Sequence, residues 1–331
     1  MASNSQLEVT SVGYIGLGNA GFSMASNIPK RNFKLVVHDA DLTKADRAAE
    51  QWENMTASKG QPDAFSDCEV IITMLPHGKI VREVLLGDQG IAKALRPGAI
   101  VVDTSSSSPF DTKALGEELR QYQIQLIDCP ITQTYMHATD AGQSTAMVGS
   151  DSAEAFQKVK PVLDCMFSYI FHMGPLGSGH AMKTLNNYIM ASSINALCDS
   201  LVTGQKFGLD PQQMIDVLNV GTGVCFPTLD TFRRDGITER YNSGFGLALL
   251  VKDLGITKEF MQHSGFQTEL PDLLQRNLQF SLDQVEPNAD HTKCLPGWEK
   301  RSGVKLKRTD KVRDIPKEDF EHRLNGLNRP A

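Results

Sequence analysis

Several features that would tie a chain to a polyanion, an oxidising compartment or a membrane are missing here. The 331 residues carry 33 Lys and Arg against 39 Asp and Glu, a net charge of −6. That balance offers no general attraction to nucleic acid or an anionic membrane, so any phosphate must be held locally by backbone N–H groups or a few placed cations. The six cysteines, Cys68, Cys129, Cys165, Cys198, Cys225 and Cys294, form no CxxC pair and no Cys/His cluster at ligand spacing. This argues against a zinc module or a disulfide scaffold, implies no metal, and reads as a reduced intracellular protein. No apolar run reaches the ~20 residues of a membrane span. The polar opening MASNSQLEVTS lacks the apolar stretch of a signal peptide, and no basic residue precedes Lys30, which argues against a mitochondrial presequence. The expectation is a soluble, cytoplasmic protein without membrane or nucleic-acid partners.

What is present divides into three zones. From about position 8 to 174, short β-branched runs (VTSVGYIGLG, FKLVVHD, CEVIITMLP, AIVVDTS, IQLIDCP) alternate with helical stretches. Strands apolar throughout are covered on both faces, and their alternation with helices predicts βαβ units in a doubly wound parallel sheet. From about 175 the apolar residues recur at helical spacing: Met182, Leu185, Ile189, Ser193, Leu197 and Leu201 step by three or four until Phe207-Gly208. From 287 to 331 the chain carries KRSGVKLKRTDKVRD and few large apolar residues, the composition of a charged surface tail or of an arm around a partner subunit. The expected domains are therefore 1–174, 175–286 and a tail, 287–331.

Two constellations carry chemistry. In VGYIGLGNAGFSM, Gly16, Gly18 and Gly21 stand in GxGxxG spacing between a strand and a helix. The first glycine permits the tight turn, the second lets backbone approach a pyrophosphate, and the third lets the helix pack close to the sheet; Leu17, Asn19 and Ala20 complete the turn. Asp39 ends the next strand about twenty positions on, where a carboxylate accepts from both adenosine ribose hydroxyls and repels a 2′-phosphate. No Arg follows it, and Lys44 and Arg47 lie a helical turn or two away, so NAD is expected over NADP. The second constellation is in GPLGSGHAMKTLNNYI. Lys183, Asn186 and Asn187, at i, i+3 and i+4, share a helix face offset from the stripe of Met182, Leu185 and Ile189. A lysine flanked by amides suits a site where a substrate hydroxyl is held and its proton exchanged, because partial burial brings its pKa toward the working range. Taken alone, the same face is also that of an ordinary solvated helix.

Four segments together resemble the β-hydroxyacid dehydrogenase family, which includes 3-hydroxyisobutyrate dehydrogenase, tartronate semialdehyde reductase and, more distantly, 6-phosphogluconate dehydrogenase. They are GYIGLGNAGFSMASNI, DTSSSSP (103–109), DCPITQTYMHATDAGQSTAMVGS (128–150) and GSGHAMKTLNN (177–187); FGLALLVKDLGIT resembles a fifth motif. The resemblance spans about 12–282. It implies an N-terminal Rossmann-type domain, an all-helical C-terminal domain, an active site in the cleft between them, and a homodimer or homotetramer. By the same resemblance Lys183 is the catalytic lysine, Asn187 helps hold substrate, Ser105 and Ser106 line the nicotinamide pocket, Lys252 is a cofactor-side cation, and Leu75 and Pro76 form the loop beneath the cofactor. The family's substrate-gripping Ser-Gly-Gly is replaced by Thr132, Gln133 and Thr134. The hydroxyl is kept, but side chains stand where the family has none, so the identity of the acid does not carry over.

The expected activity is transfer of a hydride between the hydroxyl carbon of a small β-hydroxyacid, or its semialdehyde, and NAD, with Lys183 as general acid/base. The alternatives are an NAD(P)H-dependent reductase of an imine or short aldehyde, disfavoured by the presence of Lys183, and a catalytically silent dinucleotide sensor, disfavoured by the intact GSGHAMKTLNN.

Overall fold

The computed structural model describes residues 9–132 and 141–307. Contacts divide the chain into two compact units, Met1–Ser192 with Gly244–Gln279, and Ser193–Ser243 with Phe280–Ala331.

The first unit is built on a sheet. Its strands are β1 (Ser11–Ile15), β2 (Lys34–His38), β3 (Met55–Ala57), β4 (Val70–Thr73), β5 (Ile100–Asp103), β6 (Gln125–Asp128), β7 (Ile131–Thr132), β8 (Ser144–Gly149) and β9 (Phe167–Gly174). They lie in the order β3-β2-β1-β4-β5-β6-β8-β7, with β9 also paired to β8. From β3 to β6 every pairing is parallel, whereas β8 meets β6 antiparallel through Asp128 and Gly149. Helices α1 (Asn19–Ala25), α2 (Leu42–Ala49), α3 (Gly78–Leu86), α4 (Pro109–Arg120) and α5 (Ala153–Leu163) fall between the strands.

Alternation along each strand makes two cores. Val12, Tyr14, Val70, Ile72, Ile100 and Val102 pack with Met24 of α1 and Val159 of α5. Their neighbours Ile71 and Val101 face the other way, onto Val81 and Leu85 of α3 and Leu115 and Leu119 of α4. Each fully buried aliphatic side chain contributes about 1.5–3 kcal/mol relative to exposure, which is why these strands read as unbroken apolar runs. The sheet order reverses between β1 and β4, and in such folds the carboxyl ends of the strands at that reversal hold the ligand.

Beyond Gly174 the long elements among the described residues are helical: α6 (Ser178–Phe207), α7 (Pro211–Val220), a π-helical segment (Pro227–Gly236), α8 (Leu247–His263), α9 (Leu270–Leu282) and α10 (Leu295–Ser302). A Rossmann-type sheet domain followed by helices is thus the architecture. Helix α6 stops at Phe207, as read from the sequence, but its buried face differs from the one expected. Ile189 is 63% exposed, while Thr184 (4%), Asn187 (3%), Ala191 and Ile194 are buried. The first turns bury a polar face in which His180 and Asn187 have partners on other elements, which offsets their desolvation penalty. In the second unit Trp298 of α10 donates to Asp199 Oδ1 at 2.7 Å, and Leu306 is buried. The stretch that composition marks as a charged tail therefore packs as far as the described residues run.

Candidate active site

The glycine turn leads from β1 into α1. Gly16 has φ +105°, and a Cβ there would lie 2.2 Å from the Met74 carbonyl oxygen. At Gly21 an added Cβ would lie 2.1 Å from the Gly16 carbonyl, so only glycine lets α1 start this close to the strand. Gly18 is different: nothing lies within 4 Å of the position its Cβ would take. Gly18 is the N-cap of α1 and makes no side-chain capping bond. Asn19 is exposed, and Ala20 half-buried.

Asp39 closes this region. Its Oδ2 accepts from the Leu17 N–H at 2.7 Å and its Oδ1 from the Asp41 N–H at 2.9 Å. Each oxygen retains a lone pair, since a carboxylate offers about four acceptor sites. Lys44 bends back to 3.6 Å from Asp39 Oδ1, nearer than its place in the sequence suggested. The open backbone at Gly18 beside a half-satisfied carboxylate fits a dinucleotide.

A second cluster joins the ends of β4 and β5 to α6 and α8. Ser105 follows β5 and accepts from the Leu75 N–H through Oγ at 2.9 Å. Lys252 of α8 donates to the carbonyls of Pro76 (3.1 Å) and Ser106 (3.2 Å) and pairs with Asp253 Oδ1 at 3.1 Å. The other oxygen of Asp253 accepts from Asn187 Nδ2 at 2.6 Å, and Asn187 Oδ1 accepts from Asn186 Nδ2 at 3.0 Å. Lys183 sits one turn before Asn187. Its pKa is lowered from 10.5 to about 8, chiefly because burial penalises the ammonium; Asp253 opposes that shift and Lys252 adds to it. Leu75, Pro76, Ser105, Ser106, Lys183, Asn187 and Lys252, widely separated in sequence, thus form one neighbourhood. Thr132 lies half-buried on β7 opposite Thr145 of β8. Gln133 and Thr134 lie outside the described residues.

Two residues that stand within the family-like segments were given no role at the level of sequence. Asp253 binds both Lys252 and Asn187; the signal was its place directly after Lys252 in the otherwise apolar first turns of α8. Asp128, at the end of β6, caps the start of α6 by accepting from Gly177 N and His180 N, both at 2.7 Å. Burial pushes the Asp128 carboxyl above its usual range. An acid ending a buried strand was the available signal.

A parallel sheet in this order, with a glycine turn after its first strand and an acid after its second, defines a dinucleotide-binding domain. Comparison with known proteins narrows the class. Residues 11–174 match the NAD binding domain of 6-phosphogluconate dehydrogenase, and residues 177–297 match the family described as NAD-binding of NADP-dependent 3-hydroxyisobutyrate dehydrogenase. The mitochondrial 3-hydroxyisobutyrate dehydrogenase of Rattus norvegicus is 32% identical over 83% of this chain and 81% of its own. The 2-(hydroxymethyl)glutarate dehydrogenase of Eubacterium barkeri is 28% identical over 89% of this chain and 97% of its own. A solved 3-hydroxyisobutyrate dehydrogenase of Mycobacterium tuberculosis with L-serine superposes with TM-score 0.77 at 26% identity, covering 87% of this chain and 98% of that one. The chain belongs to the β-hydroxyacid dehydrogenase family, and it is an NAD(P)-dependent oxidoreductase of that family. Among the described residues no three His, Cys, Asp or Glu side chains cluster as metal ligands, and no helix is long and apolar enough to cross a membrane.

Proposed function

We propose that this enzyme interconverts a small β-hydroxyacid of the form HOCH2–CH(R)–COO⁻ and its semialdehyde, with Lys183 exchanging the hydroxyl proton. The observation that carries the reading is the desolvated Lys183 ammonium beside Asn187, Asp253 and Lys252, a group tied by Lys252 to the Pro76 and Ser106 carbonyls. The substrate class is supported by chemistry common to the compounds named for the similar proteins. Hydroxyisobutyrate, hydroxymethylglutarate and serine each place a primary hydroxyl β to a carboxylate and differ only in R.

The dinucleotide, when bound, supplies the two-electron acceptor or donor for hydride. The turn at Gly16, Leu17, Gly18, Asn19, Ala20 and Gly21 would hold its pyrophosphate, Asp39 its ribose hydroxyls, and Leu75, Pro76, Ser105 and Ser106 its nicotinamide end. NAD is the preferred form in this reading because the Asp39 carboxylate repels a 2′-phosphate, with Lys44 partly offsetting that charge. For oxidation Lys183 starts neutral, and its Nζ takes the hydroxyl proton as the C–H electron pair leaves. For reduction it starts charged and returns the proton to the new alkoxide. The second Nδ2 hydrogen of Asn187 orients the reacting oxygen, because the first is committed to Asp253. Thr132, with Gln133, Thr134 and neighbouring backbone N–H groups, would bind the substrate carboxylate. The six cysteines are free, which supports a reducing compartment, and we place the enzyme in the cytoplasm as a homo-oligomer.

The test is Lys183→Ala, assayed by nicotinamide absorbance on a panel of short β-hydroxyacids with NAD and NADP run separately. Loss of kcat by about 10²–10⁴ with little change in dinucleotide affinity is expected. Near-normal turnover in the variant would remove Lys183 from the mechanism. Activity of the wild type on imines alone would replace the substrate class.

A further inference from the structure

His180 lies three residues before Lys183 and is fully buried, yet the proton exchange above does not use it. Its ring bridges three elements. Nε2 lies 3.1 Å from the Ser105 carbonyl oxygen, which can only accept, so Nε2 carries a proton. Nδ1 lies 2.7 Å from Thr112 Oγ1 of α4. The Thr112 hydroxyl owns a single proton, and it donates back to the Ser108 carbonyl at 2.9 Å. With that proton on Ser108 the lone pairs of Oγ1 face the imidazole and Nδ1 donates to them; with it turned to Nδ1 the ring would be neutral, so the charges around the ring decide between the two. Only the imidazolium donates from both nitrogens.

The charges around the ring agree with this assignment. Asp103 Oδ2 at the end of β5 is 3.8 Å from Nε2, and Asp128 Oδ2 at the end of β6 is 3.8 Å from Nδ1. Both carboxylates are buried and richly bonded. Asp103 accepts from Thr73 Oγ1 (2.9 Å), Ser105 N (3.0 Å) and Ser107 Oγ (3.4 Å), and Asp128 from the two α6 N–H groups. Two buried anions with nothing cationic between them would carry the desolvation cost of both charges; an imidazolium between them offsets much of it. Lys183 lies one turn further along the same helix, while Asp103, Asp128, Thr112 and Ser105 face the ring from the sheet and from α4.

We infer that His180 is held as an imidazolium between Asp103 and Asp128, and that this cation is a positioning residue clamping the Lys183 helix to the turn that carries Ser105 and Ser106. The clamp rests on the assignment of proton exchange to Lys183. It acts at one remove: the ring touches the Ser105 backbone and the helix entry, and through them fixes where the lysine stands.

The protonation is read directly by NMR of the whole chain labelled with ¹⁵N at histidine, at about pH 8, where a histidine with the ordinary value near 6.5 is neutral. The His180 resonances are identified by their loss in His180→Gln and their displacement in Thr112→Val. Two protonated ring nitrogens are expected, and one bare nitrogen would overturn the inference. His180→Gln keeps an N–H donor for the Ser105 carbonyl but removes both the donor to Thr112 Oγ1 and the charge. Its kcat should fall about ten- to a hundredfold, the cost of misplacing a catalytic group by up to an ångström, with KM for the dinucleotide within about twofold of wild type. Unchanged kcat would refute the positioning role. If His180→Gln does not fold, Thr112→Val, which deprives Nδ1 of its acceptor, carries the same kinetic test. A doubly protonated His180 in a protein whose Lys183→Ala variant turns over normally would sink the lysine assignment and leave the imidazolium standing. A neutral His180 with an inactive Lys183→Ala would do the reverse.

Discussion

Replacing Asp253 by Asn tests the electrostatics of the site without removing its shape. The amide keeps an oxygen to accept from Asn187 Nδ2, now 2.6 Å from the carboxylate, and Lys252 retains the Pro76 and Ser106 carbonyls. What disappears is the charge opposing the desolvation of Lys183. An opposite charge within about 4–6 Å shifts a pKa by roughly 1–3 units, so its removal should lower Lys183 by about one unit, from about 8 to roughly 7. The sign follows from the proposed mechanism: oxidation by it needs neutral lysine, so the acid limb of kcat/KM, which reports the free enzyme, moves to lower pH. At pH 7 the neutral fraction would rise from roughly a tenth to about a half. The profile is measured in the oxidation direction from about pH 5.5 to 9.5, with Lys183→Ala as the control that lacks the limb. A limb that stays in place, or moves upward in Asp253→Asn, would show that Asp253 does not act on the proton-transferring group.

Three further outcomes follow. Lys183→Met should stabilise the fold while abolishing turnover. Lowering the lysine from 10.5 to about 8 makes the unfolded chain bind more protons between those values. Wild-type stability therefore rises with pH through that window, and below it the full penalty, about 3–4 kcal/mol at 1.36 kcal/mol per unit, is present for Met to relieve; urea midpoints at about pH 7 and 10 read it. Asp39→Ala should weaken NAD binding about ten- to a hundredfold, as expected for lost bonds to a charged group. The same change narrows the preference against NADP, since Lys44 is released from its 3.6 Å approach to Asp39, and titration of both dinucleotides checks it. Gly179→Ala should cost about 1–3 kcal/mol by overpacking, because its Cβ would lie 2.2 Å from the Met147 carbonyl and 2.9 Å from Asp128 Oδ2; an unchanged urea midpoint would contradict this.

Much of this architecture is legible in the residues because it rests on local physics. Strands such as VIIT and IVVD are apolar on both faces, and only a sheet covered by helices on both sides buries them. GxGxxG is legible because each glycine answers a separate steric demand, as the 2.1 and 2.2 Å approaches at Gly21 and Gly16 show. The antiparallel turn of β8 against β6 was not legible, since it depends on a single pairing of Asp128 with Gly149 across the intervening chain. The buried face of α6 was misread for a related reason. Periodicity assigns the apolar stripe to the interior, but His180 and Asn187 find their partners on other elements, and such partners leave no trace in the helix's own period.

That inward polar face ties the fold to the chemistry. An apolar helix start would pack with less cost, yet it would leave Lys183 with no reason to lie where its ammonium is desolvated. The carboxylate of Asp128 meets the first N–H groups of α6, and Asp253 receives Asn187, so each end of the buried polar stretch is bonded to a charge. Between those anchors the lysine is held between burial, which lowers its pKa, and Asp253, which raises it. Burial is the larger influence and Asp253 limits it, which leaves the value at about 8. A lysine at the same helical position with Asp253 alone would stay charged and could not accept a proton. One with burial alone would lose its proton at a lower pH and hold less of the charged form that donates it. The proposed reversible hydride transfer would need both states within reach, and the pairing of a desolvated face with one buried carboxylate would supply them.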